Sequence, residues 1–260
     1  MIRSVCQKVL VVLMIFLTAF IVNAQVYTQD NPFVLQANQP TNNPATKWLT
    51  LVYKDLFARL EVPLEIIYFP ELRASVDDNV DGQFSRALKY GDIYPHQLRV
   101  EFPLLRIKII AVTKYDSEKY LHHGWESFKE KEFRVDYMRG VEVVEKNLQK
   151  WADPKYVEAV SSVEQGLLKL KHGRTDFFIH PNLALFSFLK SKEFRNDIAG
   201  AGVLVTIYAY PYVNIKHKEM VPAILKTLNE MKAEGKIRQY CYETFGEHAI
   251  ELCEEVLPAG

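Results

Sequence analysis

Cysteine is scarce, at three in 260 residues, and no Cys-x-x-Cys or His-Glu-x-x-His pairing occurs. Of the histidines, His122 and His123 are neighbours while His172 and His180 fall on different predicted elements, so no metal site is expected. The sequence also lacks a Gly-x-Ser-x-Gly elbow and a phosphate-cradling Gly-x-x-x-x-Gly-Lys-Ser/Thr loop. Its adjacent carboxylates, Asp77-Asp78, lie on a predicted helix exterior, where solvation explains them. The expectation is a protein that is not an enzyme and that uses no cofactor. Charge of one sign is missing too. Lys plus Arg number 32 against 32 Asp plus Glu, which excludes nucleic acid as a partner and leaves no polybasic patch for a membrane surface. No repeat, low-complexity tract or Gly/Ser-rich linker appears, and the length suits one large domain or two small ones.

Long hydrophobic runs are confined to one. After Arg3 and Lys8 comes an uncharged stretch, VLVVLMIFLTAFIV, at residues 9–22, followed by Val22-Asn23-Ala24. A basic start, a short apolar run and small residues at the cleavage positions form the layout of a secretory signal peptide, residues 1–24, cleaved after Ala24. The competing reading is an uncleaved anchor, but the run is shorter than the ~20 residues a span needs. The mature chain is expected in the periplasm, with a slight acidic excess once Arg3 and Lys8 are gone. Export leaves Cys241 and Cys253. They fit either a disulfide that staples the C-terminal segment or two buried free thiols.

Beyond a loop-like segment 28–46, built around the short apolar run Phe33–Leu35, helix and strand patterns alternate. Residues 45–60 carry Trp48, Leu51, Val52, Leu56 and Leu60 near helical spacing, with Asn43 as cap and Pro44 at the first position. Leu64–Phe69 reads as a strand stopped by Pro70, residues 71–79 as a short helix, and QFSR after the Asp81-Gly82 turn as a strand. Residues 98–113 hold one or two strands interrupted by Pro103. A helical turn is predicted at 125–131 and a strand at 133–137. A helix over 141–151 follows the Arg139-Gly140 turn. Ser161 and Ser162 stand at capping-box spacing from Glu164 and Gln165, opening a helix that Gly173 closes. A strand at 177–179, a helix at 182–190, strands over 203–215 and a helix over 220–233 closed by Gly235 complete the pattern. This is α/β order with right-handed crossovers. The unit helix–turn–Asp–strand occurs twice, ending at Arg86 and at His180, and strand ends of parallel sheets are where ligands bind.

Several segments resemble the bacterial extracellular solute-binding proteins of family 3, the polar amino-acid-binding type. DGQFSRALKYGDIYPHQLRVEFPLL followed by KIIAVTK is similar to the exit from their first lobe. WESFKEKEFRVDYMRGVEVVEKNL is similar to the start of their second, LLKLKHGRTDFFIHP to their L-x-x-G-x-x-D segment, and MVPAILKTLNEMKAEGKIRQY to their closing helix. The resemblance implies a two-lobe, periplasmic-binding-protein-like (type II) fold, each lobe a mostly parallel sheet flanked by helices. Lobe 1 is expected at 25–111 plus 211–260 and lobe 2 at 112–210. It further implies closure on a small polar solute, an amino acid or a carboxylate-like molecule. The partner would be an inner-membrane ABC permease or a sensor protein, and the chain a monomer. An alternative is a sensor or interaction module of the same fold, with or without a ligand. The sequence departs from the family where a glycine-rich segment should follow the first strand, at the missing Thr-x-x-Arg, and at His180-Pro181, where an aspartate usually stands.

The candidate ligand contacts are Tyr68, Ser85 and Arg86 in the first lobe and Arg139, Gly140 and His180 in the second. Arg86 offers a guanidinium at a strand end, able to grip a carboxylate with two parallel bonds; the plain alternative is a surface ion pair. Arg139-Gly140 precedes a helix whose first N–H groups suit an anion; the alternative is an ordinary turn. His180 offers a neutral donor and acceptor; the alternative is a buried histidine. Tyr68 would wall the ligand or pack in the core. Asp176 reads as architecture, its carboxylate accepting backbone N–H groups.

Overall fold

A computed structural model describes residues 27–37, 43–68, 80–117, 119–129, 132–246 and 249–257. The signal peptide, Phe69-Pro70, the helix expected over 71–79 and Asp77-Asp78 lie outside the described residues. The strands are β1 (Phe33–Ala37), β2 (Leu64–Tyr68), β3 (Gly82–Ala87), β4 (Gln97–Arg99), β5 (Leu105–Lys114), β6 (Val135–Met138), β7 (Val157–Val160), β8 (Phe177–Pro181) and β9 (Ile198–Asn214). The helices are α1 (Pro44–Arg59), the single turn α2 (Tyr90–Ile93), α3 (Glu142–Trp151), α4 (Val163–Lys171), α5 (Asn182–Lys190), α6 (Val221–Ala233), α7 (Lys236–Phe245) and α8 (Ile250–Val256). No helix among the described residues is long and apolar enough to cross a membrane.

Local chemistry sets the helix ends. Asn43 Oδ1 accepts the Ala45 N–H at 2.9 Å, and Pro44 opens α1. Ser162 Oγ accepts the Gln165 N–H at 3.1 Å, while Gln165 Oε1 takes the Ser161 N–H at 2.9 Å, a reciprocal cap for α4. Past α4, Gly173 turns left-handed at φ 67°.

The strands join in the order β2-β1-β3-β9-β5-β8-β6-β7, with β4 on β9. Two parallel groups, β2-β1-β3 and β7-β6-β8, sit at opposite ends. Between them β5 and β9 run antiparallel to each other over ten residue pairs. One core lies beneath α1, α6, α7 and α8 and gathers Phe33, Leu35, Trp48, Phe84, Leu105, Ala209 and Leu228. Here Trp48 Nε1 donates to the Ile237 carbonyl at 3.0 Å. A disulfide joins Cys241 of α7 to Cys253 of α8, their Cα atoms 5.9 Å apart. At the other end β8 alternates. Phe177 and Ile179 meet Trp125, Phe128 and Leu148 on one face, and Phe178 meets Leu167, Leu170 and Leu185 on the other.

The two ends share one pair of crossing strands. Leu105 and Ala209 belong to the first core, Ile109 and Leu204 to the second, and Ile107 packs against both. Helix α5 also bridges: Leu185 faces the second end, while Leu183 and Phe186 pack on the first core. The lobe limits expected after residues 111 and 210 fall within β5 and β9 themselves.

Candidate functional site

Register alone locates a gap. Strand β3 is antiparallel to β9, and β9 to β5, so β3 runs in the direction of β5 and ends with Ala87 level with Ala209 and Leu105. Strand β8 runs against β5 and ends with Pro181 level with Ile109. The carboxyl ends of the two parallel groups therefore point at each other along β5. They stand four residues apart, about 13 Å at a strand rise of ~3.3 Å per residue. Opposed strand ends are the crevice in which α/β folds hold ligands.

On the first side, Tyr68 closes β2 beside Ala37 and is 38% exposed. A bulge between Gln83 and Arg86 turns the end of β3. Arg86 is buried; its Nη2 and Nε donate to Gln83 Oε1 at 2.9 and 3.3 Å, and its Cζ lies 5.0 Å from the Tyr90 ring centroid. Gln83 in turn donates to Gln36 at 3.0 Å. Arg86 is thus braced in a buried polar chain and stacked, which fixes its head without long-side-chain entropy left to lose on contact. Ser85, beside it, is half-buried.

On the second side, Met138 pairs with Val160, so the ends of β6 and β7 are level. Arg139 follows β6 and is exposed. Gly140 takes φ 86°, and its N–H donates to Glu145 Oε1 at 2.9 Å. The anion position ahead of α3 thus carries the protein's own carboxylate in this conformation. His180 pairs with Ile110 and stacks on Phe178, with centroids 5.8 Å and planes 17° apart. It is 5% exposed, its Nδ1 has no hydrogen-bond partner among the described residues, and burial lowers its pKa from 6.5 to about 4. The ring is neutral at physiological pH.

Asn182, not singled out from sequence, opens α5 two residues later. Its Oδ1 accepts the Lys108 N–H at 3.1 Å, extending the β5–β8 ladder, and its buried Nδ2 has no partner among the described residues. In the sequence it shows only as a helix start. The floor of the gap is the crossing pair itself, with Arg106 opposite Tyr208 and Lys108 opposite Thr206; Tyr208 is 42% exposed.

Asp176 stands at the far end of β8. Its carboxylate takes Lys119 Nζ at 2.5 Å, Arg134 Nη2 at 3.0 Å and the Arg134 backbone N–H at 2.9 Å. Burial pushes its pKa up, but the Arg134 and Lys119 bonds outweigh that and hold it below the usual value. It organises where the strand begins, away from the gap.

No family model matches the sequence. An uncharacterised protein of Shewanella oneidensis is 26% identical over 230 residues, spanning 85% of this chain and 86% of that one. Among solved structures, the probable amino-acid ABC transporter extracellular-binding protein ytmK of Bacillus subtilis superposes at TM-score 0.63 (17% identity, 83% of this chain, 98% of that one). The GluR0 ligand-binding core of Nostoc punctiforme, in complex with L-glutamate, gives 0.62 (12% identity, 82% and 99%). A histidine kinase sensor domain with similarity to periplasmic binding proteins gives 0.64 (12% identity, 88% and 98%). Together with the opposed strand ends, these likenesses show that the chain has the two-lobe fold of periplasmic solute-binding proteins and of sensor domains built on it.

Proposed function

We propose that this chain is a divergent member of solute-binding protein family 3, exported to the periplasm, that closes its two lobes on a small polar solute for uptake or sensing. One observation carries the reading: the carboxyl ends of two parallel groups of strands oppose each other across a four-residue gap on shared crossing strands. Tyr68, Ser85 and Arg86 would contact the solute from one side, and Arg139, Gly140 and His180 from the other, the last group meeting it as the gap narrows. A ligand touching both sides only in the closed state shifts the population to that state. The hinge would lie at Ile107 and Ile207, the paired apolar residues midway along the gap. The likeness to a sensor domain favours a second use of the same closure, reporting to a membrane partner through its surface. The protein would act as a monomer, with an inner-membrane permease or sensor as partner.

Native mass spectrometry of the mature chain, purified without unfolding, is expected to show a small-molecule adduct. Solution scattering is expected to show a smaller radius of gyration when that molecule is restored to stripped protein. A chain that carries no adduct, and whose radius is unchanged by a broad panel of amino acids and small carboxylates, would refute the reading.

A further inference from the structure

Two polar side chains in the segment His180–Pro181–Asn182 keep hydrogen-bonding atoms that meet no partner among the described residues, and each residue is more than nine-tenths buried: His180 at 5% exposed and Asn182 at 8%. A buried polar atom without a partner costs about 1–3 kcal/mol, so two on one short segment call for something that meets them. The chemistry of the pair is specific. Lys108 N–H fixes the Asn182 amide by bonding Oδ1, so the unused atom is the Nδ2 donor. The His180 ring is packed on Phe178, and a neutral imidazole offers one donor and one acceptor. Neither side chain carries the negative charge that an ammonium group needs.

Three carboxylates of the same end of the sheet are committed elsewhere. Asp176 is bound by Lys119 and Arg134, Asp136 by Lys169 at 2.8 Å, and Glu145 by the Gly140 N–H at 2.9 Å. Asp136 and Asp176 also lie toward the starts of β6 and β8, away from the gap. Resting on the binding reading above, we propose that His180 and Asn182 form an uncharged hydrogen-bonding subsite that selects a small hydroxy- or amide-bearing carboxylate over the matching α-amino acid. The solute's hydroxyl or amide would give to one lone pair and accept from one N–H. An ammonium group has donors only and would leave the Asn182 donor unmet, while its own charge was buried without a counter-ion.

Calorimetry on the mature chain with matched pairs tests this: L-malate against L-aspartate, L-lactate against L-alanine, and L-glycerate against L-serine. At least one hydroxy acid is expected to bind, with its amino partner tenfold weaker or more. Asn182→Asp keeps the acceptor for Lys108 and replaces the donor with a carboxylate, and the preference in that same pair is expected to swing toward the amino acid by tenfold or more. If an amino acid binds the wild-type chain more tightly than its hydroxy partner, or if Asn182→Asp leaves the ratio unchanged, the subsite is wrong and the binding reading stands. If no member of any pair binds either protein, and the chain carries no adduct, the binding reading falls and the subsite with it.

Discussion

Gly166→Ala is a severe test of how the second end of the molecule is packed. Gly166 lies in α4 directly over Phe178, and a Cβ there would meet three ring carbons at 2.3, 2.5 and 2.8 Å, where ordinary contact is 3.4–4 Å. Phe178 is wholly buried among Val112, Val160, Leu167 and Leu185 and has little room to withdraw. Two effects compete. Alanine in place of glycine favours a helix by up to about 1 kcal/mol. Overpacking a tight core costs about 1–3 kcal/mol, and three contacts all inside 3.0 Å, which real Cβ atoms essentially never show, belong at the top of that range. The clash wins by about 2 kcal/mol, a fall of roughly 4–8 °C in Tm for a domain of this size. Because Phe178 stacks beneath His180, the displaced ring should also shift the His180 imidazole resonances. Urea unfolding and NMR on the mature chain measure both. Gly200→Ala is the control: none of the described residues lies within 4 Å of the added carbon, and stability should hold or rise. A Gly166→Ala protein as stable as wild type would refute the packing.

His180 gives a pH signature. Its pKa is lowered from 6.5 to about 4 in the folded chain, so the unfolded chain binds its proton first, and stability is lost as pH falls from about 6.5 to about 4, by roughly 3 kcal/mol; His180→Gln should flatten denaturation midpoints over that window. Asp176 is depressed, so its contribution is present at neutral pH and lost as pH falls below the ordinary carboxyl value. Asp176→Asn should cost about 1–3 kcal/mol by urea melts at pH 7, the figure being reduced because Lys119 and Arg134 are half exposed, and much less at pH 2. Tyr27 Oη and His217 Nδ1 share a hydrogen bond of 2.7 Å while His217 Nε2 meets Asp81 at 2.6 Å. Tyr27→Phe leaves that nitrogen unmet inside the protein and should cost about 1–3 kcal/mol; an unchanged melting temperature would show that Tyr27 does not tie down the chain. Reducing Cys241–Cys253, twelve residues apart, should remove up to about 3 kcal/mol, read by thermal melts with and without dithiothreitol.

Elements whose ends carry their own chemistry could be read in advance. Asn43-Pro44, Ser162 with Gln165, and Gly173 each act locally, so α1 and α4 were legible, as were β2, β8 and α5 from apolar runs. Strand β1 was hidden because five residues beside Pro32 look like loop until β2 and β3 flank them. Strand β7, Val-Glu-Ala-Val, is too short to show alternation. Strand β9 starts five residues earlier than expected, at Ile198, because Gly200 and Gly202 mimic a turn while their pairing with β5 keeps them in the sheet. Helices α7 and α8 were not predicted: α7 buries only Ile237 and Cys241, too few for a stripe. The opposed strand ends needed the antiparallel β5–β9 pairing, a long-range fact. Arg86 and His180 are legible as strand-end residues, but Glu145 answering Gly140 and Asn182 answering Lys108 depend on side-chain directions that spacing does not carry.

The crossing strands also impose an order of assembly. The core beneath α1 is built from the two ends of the chain: Phe33 and Trp48 meet Leu228, Ile237 and Cys253. The core around Phe128 and Phe177 draws on residues 107–207. A chain emerging from its amino end, as nascent and exported chains do, holds everything the second core needs while the first still lacks a wall. Its early α1 must keep Trp48, Val52 and Leu56 uncovered until the last fifty residues arrive. That interval, rather than the finished molecule, is where this sequence is most exposed to aggregation and to proteases.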